Sequence, residues 1–309
     1  MAQRRAVSFT AASAADGLTS EQVEFFNENG YLHLTGFLSR EACDTLMERA
    51  GRYVKECDVK EHRSIFTTSE QARKMNDVYF LESGDKIRYF FEEGAFKKDD
   101  PTQTLQVPLE FAINKIGHNL HNLDDEFHKI SCADQVQKIL KSLNYVRPMA
   151  VQSMYIFKQP SIGGEVSAHQ DGTFLYTEPQ SVTGFWWALE DCTPQNGCLY
   201  GVPGSHKAGV RQRFRRTTEE EQAQTGNLLV TEPEKVEPFD LTDSVPIETK
   251  KGDLVLLHNA FVHYSNANKS PKSRHAYTVH IVESHNVQYP RANWLQNTDF
   301  KPFQPMYEP

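Results

Sequence analysis

A chain of 309 residues with 33 Lys and Arg against 41 Asp and Glu carries a net charge of −8, the opposite of the basic balance that nucleic-acid binding asks for. Hydrophobic residues at 39% and charged residues at 24% suit a folded domain rather than disorder, and no run of ~18 apolar residues offers a membrane span. The five cysteines (Cys43, Cys57, Cys132, Cys192, Cys198) are odd in number and lack the paired C-x-x-C of a structural zinc site, so they read as reduced thiols of a cytosolic protein.

Residues 1–18 are Ala, Ser and charge without periodicity and read as a disordered tail, with no signal-peptide core. Residues 19–309 then read as a single domain. Thr19 opens a Thr-x-x-Gln capping box with Gln22, Val23 and Phe26 give the helix a short apolar face, and Gly30 stops it. Tyr31 to Phe37 alternates loosely, as a short strand does. Ser39 caps a second helix, in which Cys43, Leu46, Met47, Ala50, Tyr53, Val54 and Cys57 keep the spacing of one buried face.

From Ala150 the chain changes character. Ala150 to Lys158, Gly184 to Leu189, Leu199 to Val202, Leu254 to Leu257 and Ala276 to Val282 are β-branched or aromatic runs, each bounded by turn residues. Pro194-Gln195-Asn196-Gly197 is a hairpin-type turn, across which Cys192 and Cys198 could face each other, although small buried residues are the favoured reading of that pair. Short strands with this punctuation predict a sandwich or barrel rather than a parallel α/β sheet. Residues 207–245 are polar, with Arg211, Arg213, Arg215 and Arg216 ahead of Glu219, Glu220 and Glu221, and read as a long insertion or lid loop. Its arginines are more readily a solvated face than a contact for an anionic substrate.

The chemistry concentrates in His169-Gln170-Asp171. On a strand, positions two apart share a face, so the imidazole and the carboxylate would meet one ion while Gln170 points away. Two histidines and one carboxylate are the facial donor set of non-haem Fe(II), which keeps positions open for a co-substrate and oxygen. The third ligand is sought among His258, His263, His275 and His280, and His263 has the best surroundings. Ser265 lies two residues on, Arg274 lies eleven on, and 266–273 has turn chemistry. A hairpin closing there would set Ser265 opposite Arg274, making a carboxylate socket beside the metal for a dicarboxylic keto acid. His258 reads as a structural histidine at a strand end. His275 and His280 read as sheet residues, one outward and one inward, and His206 as either a cavity-mouth residue or a turn cap. Taken alone, Trp186, Trp187 and Met154 would be core, and Lys115 a surface lysine.

The stretches SGDKIRYFFEEGAF (83–96), INKIGHNLH (113–121), VQSMYIFKQPSIGGEVSAHQDGTFLYTEP (151–179), NGCLYGVPGSHK (196–207) and HNAFVHYSNANKSPKSRHAYTVH (258–280) together resemble the phytanoyl-CoA dioxygenase family of Fe(II)- and 2-oxoglutarate-dependent oxygenases. The resemblance runs from about Thr19 to the last residue. It implies a mainly β protein, a double-stranded β-helix (jelly-roll, cupin-like) core with flanking N-terminal helices. It implies iron on His169, Asp171 and His263. It implies 2-oxoglutarate against that centre and against Lys115, Met154, Trp187, Ser265 and Arg274.

Related halogenases carry Gly or Ala at the aspartate position, so Asp171 favours hydroxylation. The implied reaction turns 2-oxoglutarate and O2 into succinate and CO2 while hydroxylating a small-molecule substrate, with ascorbate as an accompanying reductant and with neither nucleic acid nor membrane as a partner. Residues 1–18 show no peroxisomal signal of the kind expected of fatty acyl-CoA-degrading members, which points to a cytoplasmic enzyme and a substrate other than phytanoyl-CoA. Two rivals are a cupin-like module that holds metal and ligand without turnover, and a zinc hydrolase on the same triad, which leaves Arg274 without a role.

Overall fold

The computed structural model describes residues 6–14, 16–61, 64–66, 77–98, 104–297 and 303–308. Helix α1 (Ser20–Asn29) begins where its box predicts. Gln22 N–H donates to Thr19 Oγ1 at 3.3 Å and Thr19 N–H donates to Gln22 Oε1 at 2.9 Å, while Gly30 ends the helix at φ 81°. Ser39 caps α2 (Arg40–Glu56), which turns Cys43, Leu46, Ala50, Tyr53 and Val54 inward. Two more helices, α3 (Asp125–Ser131) and α4 (Asp134–Ser142), join this layer.

The strands in chain order are β1 (Ser8–Thr10), β2 (Tyr31–Thr35), β3 (Ile65–Phe66), β4 (Ile87–Glu92), β5 (Ile113–His118), β6 (Pro148–Ile156), β7 (Val166–His169) and β8 (Thr183–Ala188). They continue as β9 (Leu199–Gly201), β10 (Arg213–Arg216), β11 (Leu229–Glu232), β12 (Val245–Ile247), β13 (Leu254–His258), β14 (His263–Ser265) and β15 (Ala276–Glu283). Nine form a major sheet in the order β1-β2-β13-β8-β15-β6-β5-β4-β3, and four form a minor sheet, β12-β9-β14-β7. The two sheets face each other as a jelly roll. Tyr31, Trp186, Val255 and Leu257 from the major sheet pack on Leu199, Ile247 and Phe261 from the minor side. The other face of the major sheet, with Phe185, Trp187, Leu256, Tyr277 and Val279, is covered by Leu46, Phe127 and Ile139 of the helices. The strands read from residues 150, 184, 199, 254 and 276 are β6, β8, β9, β13 and β15. No helix among the described residues is long and apolar enough to cross a membrane.

Four expectations need correction. The tail read as disordered over 1–18 is ordered from residue 6: β1 pairs in parallel with β2, Phe9 packs edge-on against Phe25 with centroids 5.4 Å apart, and Ala11 and Ala14 are buried. The open edge of β2 supplies a ladder that composition does not reveal; residues 1–5 and 15 lie outside the described residues. The 207–245 stretch, read as an insertion or lid loop with little strand character, carries regular structure, a β10–β11 hairpin around α5 (Glu219–Thr225). Thr218 and Glu221 box its helix, and Arg215 pairs with Glu221 and Glu232 at 2.8 Å each, so opposite charges that look like a solvated run are partners across a fold. The turn at 194–197 joins the two sheets, since β8 and β9 belong to different ones, and Cys192 and Cys198 are free, buried thiols. Finally, 263–274 is no hairpin, because β14 lies in the minor sheet between β9 and β7 while β15 lies in the major sheet between β6 and β8.

Candidate metal centre

Strand β7 ends at His169 and a four-residue helical turn begins at Asp171, so the pair meets through a bend rather than along one strand face. Gln170, expected to point away, is the buried clamp of that bend: its Nε2 donates to the Gly209 and Ala260 carbonyls at 2.8 and 2.7 Å, and its Oε1 accepts from Arg211 N–H at 3.0 Å. His263 pairs directly with His169 across the β14–β7 ladder. The result is one donor atom each from His169, Asp171 and His263, all within 4.8 Å of one another. Asp171 Oδ1 lies 3.6 Å from His169 Nε2 and 3.7 Å from His263 Nε2.

The tautomers follow from the backbone. His169 Nδ1 is 2.8 Å from the Ser167 carbonyl and His263 Nδ1 is 3.0 Å from the Phe261 carbonyl. A carbonyl only accepts, so both Nδ1 atoms carry the proton and both Nε2 lone pairs face the centre. Burial and the neighbouring His169 push His263 down to about 4, so the ring is neutral at pH 7. Burial pushes the Asp171 carboxyl upward, but the imidazoles of His280 and His263 outweigh it and hold Asp171 well below the usual carboxylate range. Two neutral imidazole lone pairs and one carboxylate suit a divalent ion of the Fe(II) type.

His280, read only as a sheet residue, belongs here as well: its Nε2 is 3.3 Å from Asp171 Oδ2. Its strand partner is Gly184, where a Cβ would sit 3.1 Å from that same oxygen, so only a glycine lets the carboxylate lie against the sheet. Phe174 flanks His169 with centroids 6.1 Å apart and touches Phe214 of the insertion at 5.6 Å, which makes the insertion part of the wall.

The remaining site candidates divide by strand face. Lys115, Met154 and His280 lie on the inner face; Lys115 is buried, with Nζ 3.7 Å from Met154 Sδ and 5.4 Å from the Phe90 ring centroid. Ser265 is buried two residues beyond His263. Arg274 is 1% exposed, donates from Nε to the Gly197 carbonyl at 3.0 Å, and has no partner for Nη1 among the described residues. Trp187 does not join them. It stacks on Tyr277 at 5.6 Å on the helix-covered face, and it is Trp186 whose ring lies 5.4 Å below the Arg274 guanidinium. Two adjacent tryptophans on a strand buried on both faces leave nothing in the sequence to tell which looks inward. Trp187→Ala is expected to cost ~3–5 kcal/mol of stability as a core truncation. A thermal melt of the variant beside wild type checks it.

His258 sits at the end of β13, with Nδ1 accepting from Ala260 N–H at 3.3 Å and its ring against His206 at 4.8 Å, and His206 is tied to the Asn27 carbonyl at 2.9 Å. Neither offers an atom to the triad. His275 holds Tyr155 Oη at 2.7 Å. Lys158, unremarked in the sequence, is the buried residue that the pattern missed: its Nζ donates to Ser265 Oγ at 2.9 Å and to the Gly164 carbonyl at 2.6 Å.

A family model described as phytanoyl-CoA dioxygenase (PhyH) matches residues 26–276. A "Phytanoyl-CoA dioxygenase domain-containing protein 1" of Danio rerio is 45% identical, with 94% of this chain and 99% of that protein covered. A "Phytanoyl-CoA dioxygenase 1" of Oryza sativa subsp. japonica is 43% identical, with 95% and 99% covered. Among solved structures, the non-heme alpha ketoglutarate dependent carbocyclase SnoK shares the fold at TM-score 0.57 and 20% identity, covering 97% of this chain and 96% of its own. EctD from S. alaskensis with 2-oxoglutarate and 5-hydroxyectoine does so at TM-score 0.54 and 18% identity, covering 87% and 77%.

Proposed function

The chain belongs to the phytanoyl-CoA dioxygenase (PhyH) family, and from that premise we propose that it is an Fe(II)- and 2-oxoglutarate-dependent dioxygenase that hydroxylates a small organic substrate. The observation that carries this reading is Arg274. A guanidinium buried to 1% exposure with an unpartnered Nη1 needs a carboxylate, and it lies in the barrel whose rim supplies the triad. A zinc hydrolase gives that group nothing to hold, and a cupin-like module that holds metal and ligand without turnover is told apart from the enzyme by the succinate assay below.

His169, Asp171 and His263 would hold iron through one face and leave the opposite positions open. Bound there, iron supplies the oxygen chemistry that splits 2-oxoglutarate into succinate and CO2 and oxidises the substrate. His280 braces the Asp171 carboxylate, so the anionic donor keeps its aim. Arg274 and Ser265 receive the distal carboxylate of 2-oxoglutarate. Trp186 supports the guanidinium from below, while Met154 and Lys115 line the inner face beside them. Leu257, Trp186 and Phe261 keep this part of the barrel apolar and exclude water around the paired charges.

The test is succinate release from 2-oxoglutarate with Fe(II), ascorbate and O2 in the absence of other substrates. Slow uncoupled release is expected; its complete absence, with 2-oxoglutarate unconsumed, would overturn the proposal. A screen of acyl-CoA, free-acid and small-molecule compounds for accelerated succinate release then identifies the substrate class, with phytanoyl-CoA expected among the non-substrates.

A further inference from the structure

Two basic side chains, Lys158 and Arg274, are each 1% exposed and meet at Gly197. Gly197 connects them: its carbonyl accepts from Arg274 Nε, and at φ 81° it passes so close that a Cβ there would sit 2.8 Å from Lys158 Cε. Lys158 itself adopts φ 41°, a left-handed conformation rare for a lysine, which carries its stem off the β6 strand line and under Ser265. Among the described residues the buried carboxylate beside it is Glu92, and that accepts from Gly164 N–H at 3.0 Å rather than from Lys158 or Arg274.

The hydrogen bonds say what is missing. Lys158 Nζ donates to the Gly164 carbonyl and to Ser265 Oγ. A neutral amine has two N–H groups, and these two bonds use both. A protonated amine has a third, with no further acceptor for it among the described residues. Ser265, having accepted from Lys158, must aim its own proton elsewhere, and no acceptor for it lies among the described residues either. One carboxylate entering beside Arg274 Nη1 would satisfy all three donors.

We propose that Lys158 completes the distal-carboxylate pocket as a positioning residue, aiming the Ser265 hydroxyl at the incoming carboxylate and placing a second positive charge behind it. The inference rests on the 2-oxoglutarate reading above and adds to it a coupling to pH. Burial, reinforced by Arg274, pulls Lys158 down to about 7, against the upward pull of Glu92, Glu165 and Cys198. Glu92 closes β4, Glu165 precedes β7, Cys198 precedes β9 and its thiol is pushed up to about 12 by burial, and Arg274 precedes β15. A carboxylate arriving in the pocket favours the charged amine, so binding takes up a proton wherever the free amine is neutral, that is, above pH 7. Affinity for 2-oxoglutarate therefore falls as pH rises, towards about tenfold per pH unit well above 7.

The experiment is anaerobic calorimetric titration of 2-oxoglutarate into the Fe(II)-loaded protein between pH 6.5 and 8.5, in buffers of different ionisation enthalpy. Wild type should take up close to one proton per ligand at pH 8.5 and less than half of one at pH 6.5. Lys158→Met should bind roughly ten- to hundredfold more weakly at pH 6.5, the cost of one charged hydrogen bond, with the proton uptake gone and Fe(II) affinity retained. Ser265→Ala should weaken binding yet keep the proton uptake. A Lys158→Met variant with wild-type affinity and pH slope overturns this inference and leaves the dioxygenase reading standing. If that variant fails to fold, wild type with no proton uptake at pH 8.5 overturns it equally. A wild type that binds no 2-oxoglutarate at any pH overturns both.

Discussion

Asp171→Ala is expected to abolish Fe(II)-dependent consumption of 2-oxoglutarate and to cost far more metal affinity than the roughly 10–100-fold typical of losing an outer partner of a ligand. The carboxylate is the only anionic donor in the triad, 6% exposed, and the one atom cluster that His169, His263 and His280 all approach. Without it two neutral imidazoles remain, too few to hold a labile ferrous ion. The fold should survive. The Asp171 side chain caps no helix, and the bend it sits on is held by Gln170 and by Gly172 N–H donating to the Asn259 carbonyl at 2.8 Å. Iron content after anaerobic loading and desalting, read beside far-UV circular dichroism, checks it. His258→Ala should keep both iron and turnover. If His258→Ala destroys turnover while His263→Ala does not, the ligand assignment fails.

Arg274→Ala should weaken 2-oxoglutarate by roughly thirtyfold to several thousandfold, the ~2–5 kcal/mol that truncating one member of a desolvated charge pair costs. The structure narrows the reason. Nε is committed to the Gly197 carbonyl and the guanidinium plane lies over Trp186, so the group is fixed before any ligand arrives and loses little freedom on binding. Arg274→Lys keeps the charge but not the fork, and should fall between wild type and Arg274→Ala. Iron binding should be unchanged in both, because Arg274 contacts no triad atom. The measurement is anaerobic titration on metal-loaded protein, and an Arg274→Ala variant that binds as tightly as wild type would remove the argument for 2-oxoglutarate.

What could be read from the sequence was whatever depends on neighbours in the chain. Thr19, Gln22 and Gly30 fix α1 by hydrogen bonds three or four residues long, and Ser39 does the same for α2. The His169 and Asp171 pair was legible from its two-residue spacing, but His263 stood out from His258, His275 and His280 only through Ser265, Arg274 and the family resemblance, and it is the β14–β7 ladder that brings it to the pair. Pairing between distant strands was not legible. The socket on Arg274 was inferred through a hairpin that does not exist; Ser265 is instead tied to the Arg274 pocket through Lys158 and Gly197, from strands in different sheets. Trp186 and Trp187 were indistinguishable because both faces of β8 are buried, so no polar residue marks the register. Lys158 escaped notice because lysine is ordinarily a surface residue and its burial is decided by the closure of the two sheets. The arginines of 211–216 read as a solvated face, yet Arg215 pairs with Glu221 and Glu232, which only the β10–β11 hairpin and its helix bring to it.

Both triad histidines take their orientation from backbone carbonyls two residues away, Ser167 for His169 and Phe261 for His263, so the donor set is preset by the strands themselves. A preset site of two imidazoles and a carboxylate does little to choose among first-row ions, whose affinities then follow the general order in which copper, nickel and zinc all exceed ferrous iron. The protein builds a seat without a lock. If the triad holds the ion proposed above, which ion sits in it is decided by what the surroundings supply, and protein purified from a zinc- or nickel-rich source would carry an inert ion in a correctly folded centre.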